Sequence, residues 1–400
     1  MINRSRRKNS KYHDRKSSWG DYDRSGSVKT DESVIGLSQN RYKQTKLPLS
    51  IIGKKPKPEL QFILNEDFST SWSLNKPTSD FIFLFQFKWN DLRQTVNLSC
   101  NRNIIDDLKN IKLINRPKEI IFSKDVVWEA ILKSHLQKCI RRGYLDLALS
   151  TTNLLFDLCP IKLLRRLPII MIEDVCLNTH LDSYVWLMIY YSDIIPKINI
   201  NQHELVVLST NVRNFLLSGV EHLCLEQNKD SIKYNENYDQ ELINLKLNYK
   251  NQINKNNLLK CNSIFGLQLR KLYGGMIGDQ NMLDQFTLSW RNKFNNSNNE
   301  NLIKTPSIKE YNPNDIIKLD YSNFITDAVD FHPCPWILDR IKSEYEWLTI
   351  QSIKETIWHA SSCTNFRNNY IPSKAYFDTF KLIQPKLKRI VQKILSKYLH

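Results

Sequence analysis

The sequence predicts a mainly α protein: a multi-helix bundle with a small β-containing N-terminal part and a disordered basic tail. Three observations predict it. Apolar residues recur at i, i+3 and i+4 through much of 124–222 and 324–400. One aromatic run of period two, "DFIFLFQFKW" at 80–89, precedes them. Residues 1–58 show neither period and are rich in Ser, Lys, Arg, Asp and Asn. The chain has 400 residues, ample for a buried core, and 41% of them are hydrophobic.

The elements follow in order. Residues 1–58 read as the tail, closed by the stiff linker "GKKPKPE" at 53–59. Residues 59–122 read as a small α+β segment. Within it Phe81, Phe83, Phe85 and Phe87 fall on one face of a strand, with Ile82, Leu84, Gln86 and Lys88 on the other. "TVNLSC" at 95–100 is a candidate partner strand. Residues 123–225 read as a helical domain. Trp128, Ile131, Leu132, His135, Leu136, Cys139 and Ile140 form one apolar stripe, stopped by Gly143. Leu147–Leu158 makes a second helix ended by Pro160, and Ile161–Leu167 a third that Pro168 breaks or restarts. His180–Ser192 is a fourth, and short connections imply antiparallel neighbours. Residues 226–260 read as a polar insertion. Residues 261–400 read as a second helical part, interrupted by a low-complexity spacer at 292–313 and ending in the cationic, amphipathic "LKRIVQKILSKYLH".

The charge bounds the function. The net charge is +16, and residues 1–60 hold 15 Lys/Arg against 6 Asp/Glu. That balance favours polyanionic partners, and a basic arm is a solvated tail, a nucleic-acid contact or a nuclear address. The eight cysteines form no CxxC pair and read as reduced intracellular thiols. No apolar leader opens the sequence, and the longest apolar run, Tyr184–Tyr191, is too short for a bilayer. The expectation is a soluble intracellular protein without a membrane partner, in a nucleus, a viral factory or a virion. The abundance of Lys, Asn and Ile reads as the codon imprint of an AT-rich protist or viral genome.

"KCIRRGYLDLAL" at 138–149 sets Arg141 and Arg142 against Gly143. Cations in a last turn and a glycine beyond it are an ordinary helix end. The pattern repeats, however. Arg165 and Arg166 form a second pair, Lys138 shares the first helix, and Arg270 and Lys271 follow later. Together with Arg367 these cations are candidates for a nucleic-acid or anion site. Glu173 and Asp174 are either acid/base or metal-binding carboxylates, or ion-pair partners of those arginines. "YGGMIGD" places Gly274, Gly275 and Gly278 before Asp279, for a turn, a close helix contact or a phosphate. "DFHPCPW" and "IWHASSC" offer His332, Cys334, His359 and Cys363 as zinc donors, at a spacing unlike a standard finger; the alternative is a Pro-shaped turn. Asp330 and His332 are further proton-transfer candidates. No cofactor is expected.

The run 131–180, through Lys138, Arg141, Gly143, Asp146, Ala148, Arg165, Arg166, Leu167, Glu173 and Asp174, resembles the helical region that follows the ATPase core in clamp-loader-related AAA+ replication–recombination ATPases. The resemblance covers about 50 residues and implies oligomerisation beside DNA-acting partners. No GxxxxGK[ST] occurs in the sequence, so ATP hydrolysis does not carry over. The same residues loosely resemble one tetratricopeptide unit, without a second copy. The leading expectation is a non-enzymatic nucleic-acid-associated protein of replication or genome-packaging type, with DNA as partner and protein partners or a homo-oligomer besides. An enzyme with an arginine-lined anion site is one alternative; a scaffolding protein is the other.

Overall fold

A computed structural model describes residues 59–90, 94–115, 126–198, 204–230, 240–241, 244, 262–275, 277–296, 305–320, 322–325, 335–362 and 371–399. The basic tail, most of the polar insertion and the candidates Asp330, His332, Cys334, Cys363 and Arg367 lie outside them. The described residues belong to one compact unit, Lys57–His400. The protein is mainly α with a small β-containing N-terminal part, and no helix among the described residues is long and apolar enough to cross a membrane.

Four strands open the fold: β1 (Leu60–Leu64), β2 (Thr70–Ser73), β3 (Phe81–Trp89) and β4 (Gln94–Asn101). They form one sheet in the order β2-β1-β4-β3, with β1 and β4 parallel and the other pairs antiparallel. The expected pairing of "TVNLSC" with the Phe-rich strand is present. The expected single face of four phenylalanines is not. Phe83 pairs with Ser99 but Phe85 pairs with Leu98, so the register shifts at Leu84. A bulge of this kind inserts one residue and swaps faces. Phe85 and Phe87 share a face with Leu98 and Val96, whereas Phe83 lies on the opposite face, 56% exposed.

After a short helix, α1 (Ile105–Lys109), strand β5 (Lys112–Asn115) pairs antiparallel with β6 (Glu204–Val207). Periodicity predicts only helices in 123–225. β6 escapes it because four residues between two long helices offer too few positions for a period of two to show.

The central helices are α2 (Val126–Arg142), α3 (Leu145–Leu158), α4 (Pro160–Asp174) and α5 (His180–Ile194). The stripe from Trp128 to Ile140 is buried as expected. Gly143 ends α2 at φ +71°, with its N–H on the Ile140 carbonyl (3.1 Å) and the Tyr144 N–H on the Cys139 carbonyl (2.9 Å). This paired capping pattern is one that glycine adopts without Cβ strain. Pro160 sits in the first turn of α4, where its missing N–H costs nothing. Pro168, expected to break the helix, lies inside α4. An interior proline costs about 3 kcal/mol. Burial of Leu163, Leu164, Leu167 and Ile169–Ile172 on both sides offsets it, at roughly 1.5–3 kcal/mol per side chain.

α5 is buried nearly all round, as befits a helix without a polar face. Its Trp186 indole donates to the Phe62 carbonyl (3.2 Å), and Ser183 Oγ donates to the Phe68 carbonyl (2.6 Å), docking it on the sheet. Helix α6 (Thr210–Leu225) packs on α3, starting from a Ser209 cap. Helices α7 (Asn262–Leu272) and α8 (Ile277–Asn296) are separated by a turn in which Gly274 and Gly275 take φ of +74° and +136°. Phe265 of α7 packs against Trp72 and Trp89 of the sheet, with centroids at 5.2 and 5.8 Å.

The spacer expected at 292–313 divides. Residues 292–296 continue α8, and 305–320 form a strap along α6 and α3. The strap hangs on side chains: Ser218 accepts from the Lys309 N–H (2.8 Å), Asn214 accepts from the Tyr311 N–H (3.3 Å), and Ser150 donates to the Ile317 carbonyl (2.7 Å). Tyr311 and Lys309 both reach Glu221. Beyond it, Phe324 stacks on His135 at 3.9 Å. Helices α9 (Trp336–Lys342), α10 (Ile350–Ile357) and α11 (Lys374–Leu395) complete the fold, packed on one another.

Candidate functional site

Two groups of cations stand out. The first is assembled from α2, α4, α7 and α8. Gln137 and Arg141 are one turn apart on α2, and Arg166, Glu173 and Asp174 lie on the α4 face opposite them. Arg141 Nε donates to Asp174 Oδ1 at 2.5 Å, and both side chains are buried. The Gln137 amide joins the rest. Its Nε2 donates to Asp174 Oδ2 (2.7 Å) and Glu173 Oε2 (2.8 Å), and its Oε1 accepts from Arg166. Arg166 also faces Asp279 of α8 at 3.9 Å. Burial pushes the Glu173 carboxyl above its ordinary range and the adjacent Asp174 adds to it, against Arg166 and Arg141.

Arg165 and Arg270 extend this network. Arg165 donates to the Tyr273 carbonyl (2.8 Å), while Arg270 donates to the carbonyls of Arg165 and Gly274, both at 2.8 Å. The left-handed backbone at Gly274 and Gly275 belongs to the turn that offers the Tyr273 and Gly274 carbonyls. Burial, followed by the charge of Arg165, lowers Arg270 to about 10. The structure therefore brings Arg141, Arg165, Arg166 and Arg270 together with Glu173 and Asp174. Gln137 and Asp279 complete the group; sequence reasoning missed Gln137 and named Asp279 only as the residue that follows the glycines. An uncharged amide carries no charge signal, and Asp279 follows a glycine turn more than a hundred residues away from α4.

The remaining candidates lie elsewhere. Lys138 is buried and donates to Ser134 (2.6 Å), and Arg142 reaches the Ser361 carbonyl (3.3 Å). Lys271 pairs with Asp284. His359 stacks on Tyr376 at 4.1 Å and meets Trp358 edge-on; burial lowers its pKa, opposed by Glu355. Among the described residues no three His, Cys, Asp or Glu side chains converge as metal ligands. Among the described residues Cys100, Cys139, Cys159, Cys176 and Cys224 form no disulfide.

The second group is the outer surface of α11. Phe380, Ile383, Leu387, Ile390, Val391 and Ile394 fall on one side of the helix and are buried. The other side carries Lys381, Lys388, Arg389 and Lys393, all exposed. Lys386 and Arg389 pair with Glu344, from the turn after α9, and Tyr345 donates to the Leu382 carbonyl (2.9 Å). Among the described residues no carboxylate pairs with Lys381, Lys388 or Lys393. Two aromatics of this region carry cations one turn on: Arg340 lies 4.6 Å from the centre of the Trp336 ring, and Lys381 lies 4.3 Å from that of Phe377. The i, i+4 aromatic–cation spacing is the signal that the sequence offers for this surface, and the more conspicuous arginine doublets overshadow it.

The arrangement separates two chemistries. In the first group guanidinium donors end on carboxylates and carbonyls of the same chain. In the second, ammonium groups point to solvent, where a polyanion has access. No protein-family model, curated protein or solved structure matches this chain.

Proposed function

We propose that this is a non-enzymatic nucleic-acid-associated protein of replication or genome-packaging type, and that α11, with the basic N-terminal tail, contacts the phosphate backbone. The observation that carries the reading is the segregation of charge on α11. Residues 374–395 contain six Lys or Arg and one acidic residue, Asp378, while the apolar side is spent on packing. A row of exposed cations fixed on a helix gives salt-sensitive, sequence-independent affinity by releasing counterions from the nucleic acid. In this reading the arginine doublets of α2 and α4 serve the fold, and the tail contributes its own positive charge to the attraction of a polyanion.

The test is binding of the full chain to labelled DNA across a salt series. The triple variant Lys381→Glu, Lys388→Glu, Lys393→Glu is expected to weaken binding and to lower the salt slope by about one for each phosphate that is no longer neutralised. An unchanged slope removes α11 from the interface, and absence of DNA binding by the unaltered chain ends the reading.

A further inference from the structure

We infer that the C-terminal helical surface takes single-stranded nucleic acid, with bases stacked on exposed aromatic side chains between the cations. The inference rests on the nucleic-acid reading above and names the form of the ligand. Three aromatics of this region face solvent: Trp347 is 68% exposed, Phe377 46% and Trp336 39%. Large apolar side chains at such exposure leave water-facing ring surface that the fold itself does not use.

Their placement relative to charge gives them a ligand. On α11, Phe377, Lys381 and Lys388 recur at i, i+4 and i+11, so they lie on one ridge of the helix. On α9, Trp336 and Arg340 repeat the aromatic–cation step. Trp347 lies two residues past Tyr345 and three past Glu344, and both of these are bonded to α11. A duplex presents its backbone to such a surface but keeps the faces of its bases within the stack. A single strand offers phosphates to the lysines and base faces to the rings together. The cations already lying over Trp336 and Phe377 hold those rings in cation–π contact, a geometry compatible with a base on a free ring face.

The full chain is titrated with a fluorescently labelled oligothymidylate and with a hairpin duplex of equal nucleotide count, at two salt concentrations. The expected result is tighter binding of the single strand, with a residual affinity at high salt that the duplex lacks. The double variant Trp347→Leu, Phe377→Leu should lose roughly tenfold per aromatic on the single strand and leave duplex binding in place. Leucine keeps an apolar side chain at both exposed positions, so folding is not at stake, and the melting profile verifies it. Equal affinity for the two forms, or a double variant that binds the single strand as before, overturns this inference while leaving backbone binding intact. Failure of the unaltered chain to bind either form sinks both readings. Self-association through Trp347 and Phe377 in place of strand binding overturns the inference too, because the surface then docks protein.

Discussion

The α2–α4 network and the face of α11 are built from the same cationic chemistry and put it to opposite uses. Arg141 is 4% exposed and closed onto Asp174, whereas Lys388 stands in solvent with no carboxylate beside it among the described residues. A buried ion pair is held by mutual need. Each charge has given up water, and removing one leaves the other stranded. An exposed lysine has given up nothing, so its charge remains available to an outside partner and its loss barely registers in the fold. Position in the fold, rather than residue type, decides which cations brace the core and which stay open to solvent.

The contrast is most open to attack at Asp174. Asp174→Ala is expected to destabilise the protein by about 3–5 kcal/mol, because Arg141 is left buried without its carboxylate. Thermal denaturation of the full chain reads this directly. Pairing it with Arg141→Met should recover most of the loss, since well-packed apolar side chains replace a buried pair at little cost. A double variant no better than Asp174→Ala would mean that Asp174 works through Gln137 instead.

Next in size is Gly219→Ala on α6. A Cβ at this position would sit 1.7 Å from the hydroxyl of Tyr184, a side chain that is itself fully buried. Overpacking of this kind costs about 1–3 kcal/mol. The same substitution at Gly278, where a Cβ meets nothing within 4 Å, should be neutral or slightly stabilising. Equal melting temperatures for the two variants would contradict the packing described.

Acid sharpens the comparison through histidines. Burial, then the charges of Lys138 and Arg142, lowers His135 to about 3. Burial, then His222, lowers His180 to about 4, against the Pro306 carbonyl. Both rings are neutral in the fold, so the unfolded chain binds more protons once the pH drops below about 6.5. Stability is therefore full above that pH and falls as the pH is lowered toward 4 and 3. His135 Nε2 accepts from the Ile325 N–H at 3.1 Å, which requires the unprotonated nitrogen. His135→Gln should shallow the acid limb of a stability–pH profile; an unchanged limb would show that other groups drive acid unfolding.

The smallest effect on stability belongs to α11. Lys388→Glu should leave the melting temperature unchanged and lower DNA affinity, whereas Asp174→Ala lowers stability first. A Lys388→Glu protein that unfolds early would place that side chain in the bracing class.

Much of this was legible in the sequence. The stripe from Trp128 to Ile140, the glycine stop at 143, the Phe-rich strand with its partner and the helix at 180 all follow from periodicity and capping, which are local. The failures are those of local reasoning. Leu84 is one more apolar residue in an apolar run, and only the pairing partner shows where a strand bulges. Pro168 is judged by its own missing N–H, while the burial that keeps α4 continuous comes from neighbouring elements. The arginine doublets were visible, and Glu173 and Asp174 stood out as candidate ion-pair partners for them; which guanidinium meets which carboxylate was not legible, because Arg141 and Asp174 are 33 positions apart. On α11 the lysines read as an amphipathic end, and the exposure of Trp347 and Phe377 needed the packed helices to appear.

The strap at 305–320 has a kinetic consequence. Its holding groups, Ser150 on α3 and Asn214, Ser218 and Glu221 on α6, come from two helices distant in sequence, so the track exists only after those helices have met. Contacts that span 88–167 residues close late, after the shorter loops of the α2–α6 region. Helices α9–α11 follow this strap in the chain. The turn after α10 meets α2 directly, where Arg142 reaches the Ser361 carbonyl 219 positions on, a closure longer still than those of the strap.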